Sequence, residues 1–217
     1  KNDPSKFNIA ICSCSNYPGG YFNAYKEIAN DNNIDLVLHL GDYLYEYDKD
    51  GYATEDSEKM SRVVDPPHET VTLDDYRKRH ALYKTDEDLQ LLHSSKAMVA
   101  VWDDHEFTND SWKYGAENHS FDEGLFSTRK ANAIKAYYEW MPIRESKSKL
   151  KIWRKFEIGS LFQLFMIDTR SIYRDKQLSL ENYINNNKFD KTRFKKDLVK
   201  KRDLVGKEQF KWLNKNI

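Results

Sequence analysis

Apolar residues along this chain gather in short runs that end abruptly in acids. Phe7–Cys14 (FNIAICSC), Ile34–Leu40 and Ala97–Trp102 each read as a buried strand, since a brief apolar run bounded by turn formers suits a strand covered on both faces. After the Pro18-Gly19-Gly20 turn, Tyr21–Asn30 has helical spacing. Strand, helix and strand in close succession predict a parallel crossover unit and a layered α/β architecture. Residues 47–71, rich in Asp, Gly, Pro and Glu, predict a long loop, and loops of that length are commonly functional. Thr72 with Asp75 three residues on marks a helix start, and the helical stretch that follows breaks near Thr85-Asp86 into two. A further helix over 123–141 stops at Pro142. KIWRKFEIG and LFQLFMIDTR flank Gly159-Ser160, a two-residue hairpin turn that makes the sheet mixed. Residues 174–205, dense in Lys, Asn and Asp, predict a solvated, flexible segment before an amphipathic terminal helix.

Composition narrows the functional classes. With 217 residues, 39% of them hydrophobic, the chain can bury a substantial core. Basic and acidic residues both number 35, so no net charge draws it to nucleic acid or an anionic membrane. No apolar run approaches the roughly 20 residues that span a bilayer, and KNDPSKFNIA lacks the apolar core of a signal peptide. Cys12 and Cys14 stand two apart on one strand face, with α-carbons about 6.6 Å apart, a poor disulfide geometry. Thiols, or a thiolate on a metal, are expected.

The chemistry lies where the strands stop. In an open α/β sheet the binding crevice forms beyond the carboxyl ends of the strands. Those ends carry Cys12/Cys14, then Asp42 with Tyr45, then Asp103, Asp104 and His105. Thiolate, carboxylate, phenolate and imidazole in one crevice form a nest for hard or borderline cations. Two cations roughly 3.5–4 Å apart, bridged by one carboxylate, could clamp a phosphate and activate a water. Asp after a strand is also a common turn former, and a buried Cys a small hydrophobe. The WDDHE cluster is harder to read that way, because three carboxylates without a neighbouring Lys or Arg repel one another unless a cation or solvent relieves them. His39 lies inside the second strand, where it could hydrogen-bond or orient a ligand. His68, His80, His93 and His119 read as surface residues. Arg77 and Arg79 fit either a phosphate contact or a solvated helix face.

The stretches CSCSNYPGGYFNAY, DLVLHLGDYLYEY, TLDDYRKRHALYKTDEDLQLLHSS, VWDDHEFTND, AYYEWMPIR, LFQLFMIDTR and GKEQFKWLNKN resemble, in order, the alkaline phosphatase D (PhoD-like) metallophosphatases, relatives of the purple acid phosphatases in the calcineurin-like superfamily. The resemblance implies a two-sheet α/β/β/α sandwich with mixed sheets and a binuclear centre that hydrolyses phosphate monoesters and diesters with a metal-activated water. Asp42 would bridge the metals, with Cys14 and Tyr45 on Fe(3+). Asp104, and beyond it Asn109, would hold a second divalent metal, expected to be Ca(2+). His105 would contact phosphate and stabilise charge or protonate the leaving oxygen. The substrate would be a phosphate ester and the location secreted, periplasmic or cell-surface.

Two departures qualify this picture. The chain starts at the first core strand, without an export signal or the small β-domain that often precedes it. It also has no histidine after His119, whereas the family continues into a second half with GDVH-like ligands. Residues 1–217 are therefore expected to be the N-terminal portion of a catalytic domain completed by a C-terminal segment. The alternative is a binding module of the same fold with an incomplete metal set.

Overall fold

The central strand is buried along its whole length. In this computed structural model, which describes residues 4–144, 148, 150–170 and 172–217, Leu36–His39 forms β2, between β1 (Ile9–Cys12) and β3 (Met98–Ala100). All three strands run parallel, with Cys12 opposite His39 and His39 opposite Ala100. Continuous burial on both faces explains why LVLH shows no polar alternation. The carboxyl ends of all three strands thus meet at one edge.

Helices supply the covering layers. The segment between β1 and β2 contains α1 (Asn23–Asn30), and α2 (Leu73–Tyr83) and α3 (Glu87–Ser95) precede β3. The break expected near Thr85-Asp86 is present: Asp86 caps α3 by accepting from the Leu89 amide at 2.9 Å. Thr72 and Asp75 form the reciprocal capping box at the start of α2. Helix α1 packs on α3, and α2 on α4 (Phe126–Trp140). Trp102, Phe107, Tyr137 and Tyr138 meet edge to face in the core, where ring pairing adds to simple burial.

The expected hairpin joins β4 (Arg154–Ile158) to β5 (Phe162–Met166) as a separate antiparallel pair. Its turn is longer than the sequence reading had it: Ile158 pairs with Phe162, so residues 159–161 form the loop, with Gly159 left-handed at φ 52°. A short pair, β6 (Ile184–Asn185) and β7 (Lys188–Phe189), and α5 (Lys191–Leu198) occupy the polar stretch, most of which is exposed. The terminal helix α6 (Gly206–Asn216) docks through buried Gln209, which donates to the Asp168 carbonyl and accepts from its amide. No helix among the described residues is long and apolar enough to cross a membrane.

Candidate metal centre

Beyond the strand ends the loops continue to zip together. Leu40 donates to the Cys12 carbonyl, Cys14 to Gly41 and Ser15 to Asp42, at 2.9, 3.2 and 3.0 Å. This pairing carries Cys14 to the side of Asp42, with Sγ 3.4 Å from Oδ2. Both residues hold left-handed backbones, φ 59° and 52°, an unfavourable state for non-glycine residues that concentrates at functional sites. Gly41, at φ 108°, permits the third loop to approach: a β-carbon there would lie 2.3 Å from the Asp103 amide nitrogen. The Gly-Asp pair is thus the crossing point of two strand ends.

Glu106 fixes that crossing. Its buried carboxylate accepts the Tyr43 and Asp103 amides, each at 2.8 Å, tying the loop after β2 to the loop after β3. One donor atom from each of Asp42, Asp104 and His105 then lies within 4.8 Å of the others. Tyr45 reaches the Cys14 sulfur with its hydroxyl and stacks on the His105 ring at 4.1 Å. A cavity of about 710 Å³ opens beside Cys14 and Tyr45, walled by Tyr21, Phe22 and Tyr52.

The acids are set in a protein interior that resists their ionisation. Burial raises the Asp42 carboxyl, and Asp103 adds to it against the charge of His105. Burial brings Asp104 up to about 6 despite Arg170 and His105, and Glu106 up to about 8 with Asp42 reinforcing it. Cys14 and Tyr45 are raised in the same way, by burial first and then by Asp42. Five neighbouring groups that prefer to keep their protons form a set that a cation would favour in place of those protons. Among the described residues Asp42, Asp104 and His105 form a group that could hold a cation, and Cys14 and Tyr45 lie against Asp42 on its other side.

His105 is set apart from this group by its partner. Its Nδ1 lies 2.7 Å from Oε2 of Glu46, which is wholly buried. Burial pulls the imidazole down, but Glu46, then Asp42 and Asp104, push it up to about 9. Burial likewise raises Glu46, yet the His105 hydrogen bond and charge hold it below the usual carboxylate range. Glu46 also accepts the Asn109 amide at 2.6 Å and the Asn118 side chain at 3.0 Å. The Asn109 carboxamide itself donates to Glu117 at 3.0 Å.

Sequence reasoning missed two members of this assembly. Glu46 is a single acid between two tyrosines, and no local pattern distinguishes it. Arg170, just past β5, pairs with Asp103 at 2.6 Å and with Asp104 and Asp110 at 3.2 Å. The repulsion expected within WDDHE is therefore relieved in part by a protein cation. The DTR triplet after an apolar strand was the available signal. Other expectations are corrected as well. His80 is buried and its ring is parallel to that of Trp140, while His93 contacts Tyr43 and Lys84. Arg79 is buried and spent on the carbonyls of Tyr45, Asp65, Pro66 and His68, and Arg77 pairs with Glu139. Arg79 is thus closed to a phosphate, while Arg77 belongs to the partly exposed helix face.

Known proteins place this site in context. Residues 9–217 match the profile of the PhoD-like phosphatase family. Alkaline phosphatase D of Bacillus subtilis (strain 168) is 37% identical over 216 residues, covering 98% of this chain and 35% of that relative. A solved structure described as the structure of PhoD superposes with a TM-score of 0.76 at 36% identity, over 96% of this chain and 38% of that one. The chain thus spans little more than a third of the length of these relatives. With a profile match over nearly its whole length, the chain belongs to the PhoD-like phosphatase family.

Proposed function

We propose that this chain carries part of the catalytic centre of a metal-dependent phosphoric ester hydrolase, acting on monoesters and diesters outside the cytoplasm. The observation that carries the reading is the position of Asp42, within reach of Cys14 on one side and of Asp104 and His105 on the other. Cys14, Tyr45 and Asp42 would hold Fe(3+); Asp42 and Asp104, with Asn109 near the same end, would hold a second divalent ion such as Ca(2+). When bound, such a pair supplies Lewis acidity and lowers the pKa of coordinated water.

The chain's own residues do the rest. Glu46 fixes the His105 ring through Nδ1 and keeps it cationic, which suits it to contact a phosphate oxygen or to give a proton to the leaving oxygen. Glu106 and Gly41 hold the two acidic loops in register. Arg170 limits the negative charge at the Asp103-Asp104 edge. The cavity beside Cys14 and Tyr45 is an aromatic-walled space for the organic part of the ester.

Elemental analysis joined to an assay on nitrophenyl phosphate tests this. The purified chain should hold iron and a second metal near stoichiometry, and Asp42→Asn should lose both metals together with hydrolysis. Unchanged metal content and turnover in that variant would overturn the assignment, while a chain that binds neither metal would favour the binding module.

A further inference from the structure

A second cluster of chemistry lies away from the metal centre, at the ends of α2 and α4. Lys84 Nζ is 2.6 Å from the Tyr43 hydroxyl and 2.8 Å from His93 Nε2, and those two atoms are 2.8 Å from each other. Among the described residues no carboxylate pairs with this half-buried amine. The groups around it are bases or neutral. His93 comes from α3, His80 from one turn earlier on α2, and His39 from β2 packs its ring 5.2 Å from that of Tyr43. Asp86, two positions on in the chain, is already committed to Arg62 at 2.6 Å.

The amine borders a pocket of about 490 Å³ whose other walls are Trp140, Met141, Pro142, Gln90 and Ser94. Apolar walls converging on a few polar groups are the usual form of a small-molecule site. A surface lysine satisfies its charge with water or an acid. This one faces an imidazole and a phenol at the edge of an open depression walled on one side by Trp140, Met141 and Pro142.

We propose that Lys84 is a nucleophilic amine that takes small apolar or aromatic carbonyl compounds as imines in this pocket. The nitrogen lone pair adds to the carbonyl carbon, both amine protons leave with the carbonyl oxygen as one water, and a C=N bond remains. No electrons are transferred. Tyr43 and His93 hold the nitrogen by hydrogen bonds, and Trp140 offers a flat face to an aromatic aldehyde. Burial alone brings Lys84 down to about 8, and burial with the charge of Lys84 brings His93 down to about 4, so a neutral amine beside a neutral imidazole is well populated in mildly alkaline solution. Nothing in this site requires the metals or the phosphatase reading.

The test is reductive trapping on the full chain. Protein is incubated with 2-hydroxybenzaldehyde, reduced with borohydride, and the modified peptides are quantified by mass spectrometry between pH 6.5 and 10. Lys84 should be labelled at least ~10-fold faster at pH 7 than exposed Lys49, whose pKa its Asp50 partner raises, with a rate midpoint near pH 8. Lys84→Arg should lose that label while the urea midpoint is retained. Equal labelling of Lys84 and Lys49 in the unaltered chain overturns the proposal, whatever the variant does to folding.

Discussion

His105 and Glu46, separated by 59 positions in sequence, meet at 2.7 Å with the carboxylate fully buried. The two shifts set a pH window. His105 rises above its ordinary 6.5, so its contribution is complete below that value and is lost as pH rises through about 9. Glu46 falls below its ordinary 4.5, so its contribution is complete above that value and is lost at lower pH. The pair therefore stabilises most between about 4.5 and 6.5 and weakens toward 9. The His105 displacement corresponds to roughly 3 kcal/mol as an upper bound. Glu46→Gln in chelator-treated protein should bring the imidazole titration, followed by NMR, back toward its ordinary range. It should also flatten the fall in thermal midpoint between pH 6 and 9. An unchanged titration would show that the carboxylate does not govern the ring.

Arg170 has a different role, as a cation already present at the acidic edge. Its removal in Arg170→Gln leaves His105 as the remaining cation beside Asp104 among the described residues, and Asp104 would move further above its present value of about 6. Stability should then fall by about 2–3 kcal/mol at pH 8, the order expected when one partner of a partly buried pair is lost. The loss should shrink at pH 5, where Asp104 takes a proton. Added divalent cation should restore part of the thermal midpoint at pH 8 if it binds at these acids, and urea titrations with and without metal measure both effects. A loss that is the same at both pH values would mean that Arg170 acts by packing alone.

What could be read from the sequence was the part carried by local rules. An apolar run broken by Gly-Asp or Asp-Asp-His identified the ends of β2 and β3, and the parallel order brought Cys14, Asp42 and Asp104 to the same edge. The Thr72 and Asp86 caps were visible for the same reason, since cap and helix are neighbours in the chain. The supporting residues were not local. Glu46 looks like one polar position among tyrosines, and only folding places it under His105. Arg170 lies 67 residues from Asp103, beyond any window in which charge patterning can be judged. His80 and Arg79 sit on a charged helix whose buried face is set by α4 and by the 65–68 loop, so a polar composition concealed burial.

The capping box at Thr72 gives a prediction independent of any metal. Thr72 Oγ1 accepts the Asp75 amide at 3.3 Å, and Asp75 Oδ2 accepts the Thr72 amide at 2.8 Å. Thr72→Ala removes one half of this exchange at the start of α2, the helix that carries Arg79 and is capped at its far end by Lys84. A loss of about 1 kcal/mol is expected in urea unfolding, typical of an N-cap replaced by alanine. Metal content should not change.

Gly41 and Gly124 separate two reasons for a glycine. Both have positive φ, 108° and 86°, so alanine is strained at either position. At Gly124 a β-carbon meets nothing within 4 Å, and Gly124→Ala should cost only that backbone strain, about 1–3 kcal/mol. At Gly41 the same atom would stand 2.3 Å from the Asp103 nitrogen and 2.8 Å from the Trp102 carbonyl carbon, both in backbone that cannot rotate away. Gly41→Ala must therefore push apart the loops after β2 and β3, which Glu106 holds together through the Tyr43 and Asp103 amides. Its expected loss is more than about 3 kcal/mol, in the range of overpacking added to strain. The same displacement would separate Asp42 from Asp104, so metal binding should weaken in whatever fraction still folds. Equal urea midpoints for the two alanine variants would remove the close approach of the loops as the reason for glycine at position 41.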